Sequence, residues 1–260
     1  MWSEKVKILL VIGITLMSVV AVLMMERIPQ DLNYHNFADK RTILGIPNMW
    51  DVLSNIPFVL FGGIGLASLM GKNLVFSEAI YRTIAWLFFA GLTLTGVGSI
   101  YYHLDPTNQT LVWDRLPMTI SFMAIFNLVI ALHIDAKIAK QCLWLLLLVG
   151  VFSVCYWYFT ERIGMGDLRL YGLVQFLPMV LIPIIVSLFR TDRYKQRWIW
   201  VTAAIYISAK LAEHFDYQIY AALGLSGHSW KHIIAAFSGL SVLAVLKSIK
   251  RPISELNARQ

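Results

Sequence analysis

The chain is short of charge and nearly free of cysteine. Only 14% of its 260 residues are Asp, Glu, Lys or Arg, against 58% that are hydrophobic, a balance that excludes an ordinary water-soluble domain of this length. Its two cysteines, Cys142 and Cys155, fall inside one apolar run and read as small core residues. A disulfide framework is thereby excluded, and the redox compartment is left open. The chain also lacks any repeat with a period of roughly 20 to 50 residues. Acidic residues are the scarcer charge, 15 against 22 basic, which leaves a net charge of +7. Such an excess suits nucleic acid, but here the basic residues sort by membrane side, and no nucleic-acid partner is expected.

What the chain has in quantity is apolar length, with a mean hydropathy of +0.66. A hydrocarbon layer about 30 Å thick needs roughly 20 apolar residues per helix. Runs bounded by charged or Pro/Gly/Asn-rich breaks predict eight spans, at 6–25, 49–70, 81–103, 115–134, 141–159, 168–189, 197–215 and 229–249. The fold class is therefore all-α, a polytopic membrane protein. The first run follows Lys5 and Lys7 as a signal peptide would, but it is long and has no small-x-small cleavage site before Glu26. It reads as a retained helix.

Short cytoplasmic loops carry the excess of Lys and Arg. With alternating spans, fourteen basic residues fall on one side (Lys5, Lys7, Lys72, Arg82, Lys137, Lys140, Arg190, Arg193, Lys195, Arg197, Lys247, Lys250, Arg251 and Arg259). Seven fall on the other (Arg27, Lys40, Arg41, Arg115, Arg162, Arg169 and Lys231), with Lys210 inside a span. Both termini are expected in the cytoplasm, and the loops 26–48, 104–114, 160–167 and 216–228 on the outer side, toward a periplasm or an organelle lumen.

Polar groups at or inside spans are costly, so each is a functional candidate. The third span ends in Gly96-Val97-Gly98-Ser99-Ile100-Tyr101-Tyr102-His103, which puts Ser99 and His103 at i and i+4 on one helix face. The fourth opens with Asp114-Arg115-Leu116-Pro117-Met118. A proline belongs in a first helical turn, so Asp114 is expected at the helix start, where it reads either as a functional carboxylate or as an N-cap. The eighth opens with Gly227-His228-Ser229-Trp230-Lys231-His232, two imidazoles at the i, i+4 spacing that grips one metal ion. Alone this pair is weak, but topology brings His103, His228 and His232 to the same membrane face. Three neutral imidazoles leave a fourth tetrahedral position for water, the composition of a catalytic zinc site. A carboxylate beside it can take a proton, and a hydroxyl can orient water or steady an oxyanion. Ser99 also reads as a small helix-packing residue beside Gly96 and Gly98, or as a nucleophile with no unambiguous base.

These three motifs resemble the alkaline ceramidase family, which groups with the adiponectin-receptor-like proteins in a superfamily of membrane hydrolases. Ser-xxx-His closes one helix, an Asp eleven residues later opens Asp-x-Leu-Pro-Met, and His-xxx-His comes late. The likeness runs from about Asp39 to the end of the chain. It implies a seven-helix bundle over residues 31–260, preceded by an extra transmembrane helix in residues 1–30. It implies Zn2+ on His103, His228 and His232, with Ser99 and Asp114 as catalytic residues, and hydrolysis of a ceramide or related N-acyl membrane lipid to a fatty acid and an amine. The alternative within the superfamily is a receptor-like protein with structural zinc. Arg115 and Lys231 depart from the family's glutamate and tryptophan, which bears on sphingolipid specificity. Animal members bind calcium through an acidic segment that here reads Tyr34-His35-Asn36-Phe37, while Asp39 and Asn48 match two later calcium positions. So few hard oxygen ligands argue against tight calcium binding.

A second polar knot comprises Lys210, Glu213, His214 and Asp216, which either pair among themselves or, for Glu213 and Asp216, support the site or a substrate headgroup. Tyr156 and Lys231 are further candidates near substrate, although Tyr101, Tyr102, Tyr156 and Trp157 also suit an aromatic belt or core packing. His35 and His133 are not placed to join the outer cluster. A haem protein using spare histidines as axial ligands is the remaining rival.

Overall fold

A computed structural model of the chain describes residues 2–71 and 74–250. Lys72, Arg251 and Arg259, counted above for orientation, lie outside the described residues. The elements are α1 (Glu4–Met24), a 3-10 turn (Leu32–His35), α2 (Met49–Leu53), α3 (Ile56–Met70), α4 (Ala79–Leu104), α5 (Asn108–His133) and α6 (Ala136–Arg162). Then follow α7 (Arg169–Leu188), α8 (Arg197–His214), α9 (Asp216–Leu223), α10 (Gly227–Ala236) and α11 (Ser238–Lys247). Among the described residues there is no β-strand, only an isolated bridge between Ile43 and Ile46. The architecture is all-α, a seven-helix bundle with one further helix at its N-terminal end.

Seven segments are long and apolar enough to cross a membrane, taking α2 with α3 and α10 with α11 as single spans. The eighth, α8, has 18 residues but carries Arg197, Lys210 and Glu213, and so falls short on composition rather than length. It lies in the bundle all the same, packed along α10 and α11. Apolar side chains stand outward along α1 and α6, among them Leu16, Leu145, Leu148 and Phe152. Water would penalise this surface, whereas hydrocarbon does not.

Local chemistry sets the helix ends. Asp135 caps α6 by accepting from the Lys137 and Ile138 amides, and Gly224, at φ 69°, closes α9 in the left-handed conformation. The start of α5 differs from the expectation. Thr107 and Thr110 form a reciprocal capping box, so the helix begins at Asn108 and Asp114 lies about two turns inside it. The N-cap reading of Asp114 is thus overturned, and Pro117 is an interior proline. The loop 216–228 likewise contains α9, a short helix that its mixed composition concealed.

The largest core lies between α3, α4, α5, α6, α7 and α11 and includes Phe89, Leu128, Leu143, Ile185 and Val245. A smaller cluster of Phe37, Tyr102, Leu111, Val154, Trp157 and Tyr171 closes the end of the bundle that carries loop 26–48. The residues singled out above lie at that same end.

Candidate metal centre

Two interruptions shape the site. Pro57 has no amide hydrogen to give the Leu53 carbonyl, and the span 49–70 breaks between α2 and α3 at Ser54 and Asn55. The Asp51 carbonyl, freed at this break, accepts from the Ser54 hydroxyl at 3.0 Å and from the Asn55 side-chain NH2 at 2.7 Å. Ser54 Oγ, its own proton committed there, lies 2.8 Å from His232 Nδ1. This pattern assigns the imidazole proton to Nδ1 and leaves Nε2 as a lone pair for a metal.

The second interruption is at α5. Pro117 cannot donate to the Trp113 carbonyl one turn back, and Gly98 of α4 packs directly against that carbonyl and the Asp114 amide, leaving no room for a Cβ. The close crossing brings two buried groups together, with the Ser99 hydroxyl facing the Asp114 carboxylate. His103 lies one turn further along α4 and is wholly buried. Asn48 donates to the His103 carbonyl at 2.9 Å, which fixes the end of α4.

The second ligand helix, α10, carries both His228 and His232 and is anchored from outside. Gly227 abuts the Ala212 carbonyl and the Asp216 backbone without space for a side chain. The next amide, of His228, donates to Asp216 Oδ1 at 2.8 Å, while Asp216 Oδ2 accepts from the Ala38 amide at 2.9 Å. Asp216 therefore joins loop 26–48 to the start of α10.

His103, His228 and His232 converge, with one ring nitrogen of each within 4.8 Å of the others. The Nε2 atoms of His103 and His228 stand 3.3 Å apart, matching the edge of a tetrahedron, about 3.3 Å, for nitrogens about 2.05 Å from a central ion. Three buried imidazoles with this spacing could hold a metal ion. Phe37 packs over His103 and His228 at ring-centroid distances of 4.7 and 4.5 Å and closes the cluster from above.

The remaining candidates are distributed as follows. Glu213 accepts from Lys231 at 2.8 Å and also pairs with Lys210, so the second polar knot includes Lys231. Lys231 Nζ lies 3.3 Å from His228 Nε2. Tyr156 does not join the cluster, because its hydroxyl donates to Asp167 at 3.0 Å. Asp39 is held by Arg41 through bonds of 2.8 and 2.6 Å. Burial raises its carboxyl, but the Arg41 side chain and amide outweigh that and hold it below its ordinary value. His35 is tied to Tyr102 and Asn108 at 2.8 and 2.9 Å, apart from the metal ligands.

Sequence reasoning missed Asp51. It is fully buried, and its Oδ1 accepts from Ser226 and Ser229 at 2.8 and 2.5 Å, which pins α2 to the start of α10. An acidic residue opening an apolar span was the available signal.

Beside the cluster lies a cavity of about 950 Å³ lined by Ser99, Asp114, Lys231 and His232 at one end, near the top of the roughly 300–1,000 Å³ range for small-molecule sites. Its walls run to Phe88, Ile125, Ile182 and Ile199, residues toward the opposite ends of their helices. Ser18 and Val22 of α1 contribute one side. Fold and site together define a polytopic helical protein with a buried three-histidine cluster beside an apolar chamber. No protein-family model, curated protein or solved structure matches the chain.

Proposed function

We propose that the protein is a zinc-dependent membrane hydrolase of the alkaline ceramidase type, cleaving the amide bond of a ceramide or a related N-acyl lipid. The observation that carries this reading is the junction of three buried imidazoles, a buried Ser–Asp pair and a long apolar cavity in one place. His103, His228 and His232 would hold the ion. A Zn2+ bound there would supply Lewis acidity toward a carbonyl and ease the deprotonation of water.

The protein's own groups account for the rest. Asp114 takes a proton from the attacking water at a carboxylate oxygen and returns it to the amine nitrogen as the C–N bond breaks. The elements of water end as hydroxyl on the acyl carbon and hydrogen on the amine. Ser99 holds Asp114 in register by donating to its carboxylate, and once Asp114 carries the proton and donates in turn, the Ser99 O–H is free for the developing oxyanion. Phe37 keeps bulk water off the ligands, and the apolar walls accept the acyl chain. The ligand-bearing ends face the outer side, and both termini are cytoplasmic, as the fourteen-to-seven division of basic residues supports.

The test is lipidomic. Purified protein is incubated with ceramides and other N-acyl lipids, with and without a zinc chelator, and free fatty acid is measured. Chelator-sensitive release supports the reading. Stoichiometric metal with no release from any amide would make the centre structural, as in a receptor-like protein.

A further inference from the structure

Arg115 is the only buried Lys or Arg among the described residues, and it makes no ion pair. Its guanidinium carbon lies 4.4, 4.7 and 5.4 Å from the ring centroids of Trp157, Tyr171 and Tyr34. Ring faces stabilise a cation but accept no conventional hydrogen bond. One acceptor is present, Gln30 Oε1, at 2.7 Å from Nη2, whereas a guanidinium has five N–H groups to place. Nη1 is buried with no partner, and so is the indole Nε1 of Trp157, the ring stacked most closely on it. A buried charge without a counter-charge is costly, and buried donors without acceptors add to that cost.

Arg115 lines the same cavity as Asp114, its chain neighbour, together with Gln30, Asn33 and Tyr34. The cavity therefore has two unlike ends. One runs between the helices toward Ile125 and Ile182, and the other lies beneath loop 26–48 with a buried guanidinium in its wall. Lys231 and Lys210 share the carboxylate of Glu213, and the Asp114 carboxylate lining the same end balances the charge they leave over, so these four groups provide no counter-charge for Arg115.

We infer that the site takes an anionic amphiphile: an acyl lipid whose polar end bears a carboxylate or phosphate, received by Arg115. This deepens the proposed hydrolase by naming its substrate class, an N-acyl lipid acidic on the amine side of the amide. It rests on that reading only for the word amide. The anion supplies acceptors and the missing counter-charge. Charge-assisted bonds of this kind are individually strong, and the expected preference over a neutral analogue is about tenfold or more.

The experiment reads binding and needs no turnover, so its failure is distinct from that of the hydrolase. Full-length protein in a nonionic detergent is titrated calorimetrically with hexadecyl phosphate, N-palmitoylglycine, hexadecanol and N-palmitoylethanolamine. An anionic member binding about tenfold tighter than its neutral partner supports the inference, and the larger ratio tells phosphate from carboxylate. The preference should fall toward one in Arg115→Gln and persist in His228→Ala. Equal affinities in the unmodified protein would overturn it. So would a preference that survives Arg115→Gln, or one that His228→Ala alone abolishes, since the anion would then sit on the metal.

Discussion

Ser54 and His232, 178 positions apart, are joined by a 2.8 Å hydrogen bond that fixes which imidazole nitrogen is free. Removing that partner should leave the ligand in place but poorly aimed. Ser54→Ala is expected to weaken metal affinity by about 10–100-fold, read by competition with a calibrated chelator. An unchanged affinity would mean that the Ser54 hydroxyl does not orient the ring.

Metal binding and proton transfer should separate by residue. His103→Ala, His228→Ala and His232→Ala should each lose stoichiometric metal by elemental analysis. Asp114→Asn should keep it and lose about 10²–10⁴ in turnover. Normal turnover in Asp114→Asn would remove the carboxylate from the mechanism.

The helix crossing at Gly98 permits a third test. A methyl group there collides with the Trp113 carbonyl, so Gly98→Ala should lower stability by about 1–3 kcal/mol and cut activity by separating Ser99 from Asp114. Gly13→Ala, where a methyl meets nothing within 4 Å, is the control and should be neutral or mildly stabilising in thermal unfolding.

Asp167 gives a pH signature. Hydrogen bonds from the Arg169 side chain hold its carboxyl below the ordinary 3.8; burial opposes them, and the Arg169 amide and the Tyr156 hydroxyl reinforce them. A folded value below the unfolded one contributes stability that is present above pH 3.8 and lost as pH falls through the folded value. Asp167→Asn should therefore melt below the parent at neutral pH, with the gap closing in acid. A gap that is constant across that range would show that the ionised form contributes nothing.

Much of this was legible in the chain because the bilayer imposes long apolar helices, and alternation along them assigns every loop to a side. That logic alone brought His103 to His228 and His232 across more than a hundred residues. It failed at α5, where Asn108, Gln109 and Thr110 are polar yet helical because a capping box satisfies the first turn. It also failed for supports that depend on tertiary packing. Nothing local marks Phe37 as the cover of two imidazoles, or gathers Gln30, Trp157 and Tyr171 around Arg115. Asp216, grouped by sequence with Glu213, instead serves His228 and Ala38.

Arg169 also donates to the Leu23 and Met25 carbonyls at 2.9 and 2.7 Å, clasping the far end of α1 to the start of α7. No residue of α1 is buried, and only Ile8, Val11 and Ile14 pack partly against the core. One flank of the chamber is thus a panel hung at its C-terminal end and lightly seated elsewhere. Parting it from the bundle disrupts fewer buried contacts than moving any neighbouring helix, which makes the gap beside α7 the cheapest way into the chamber.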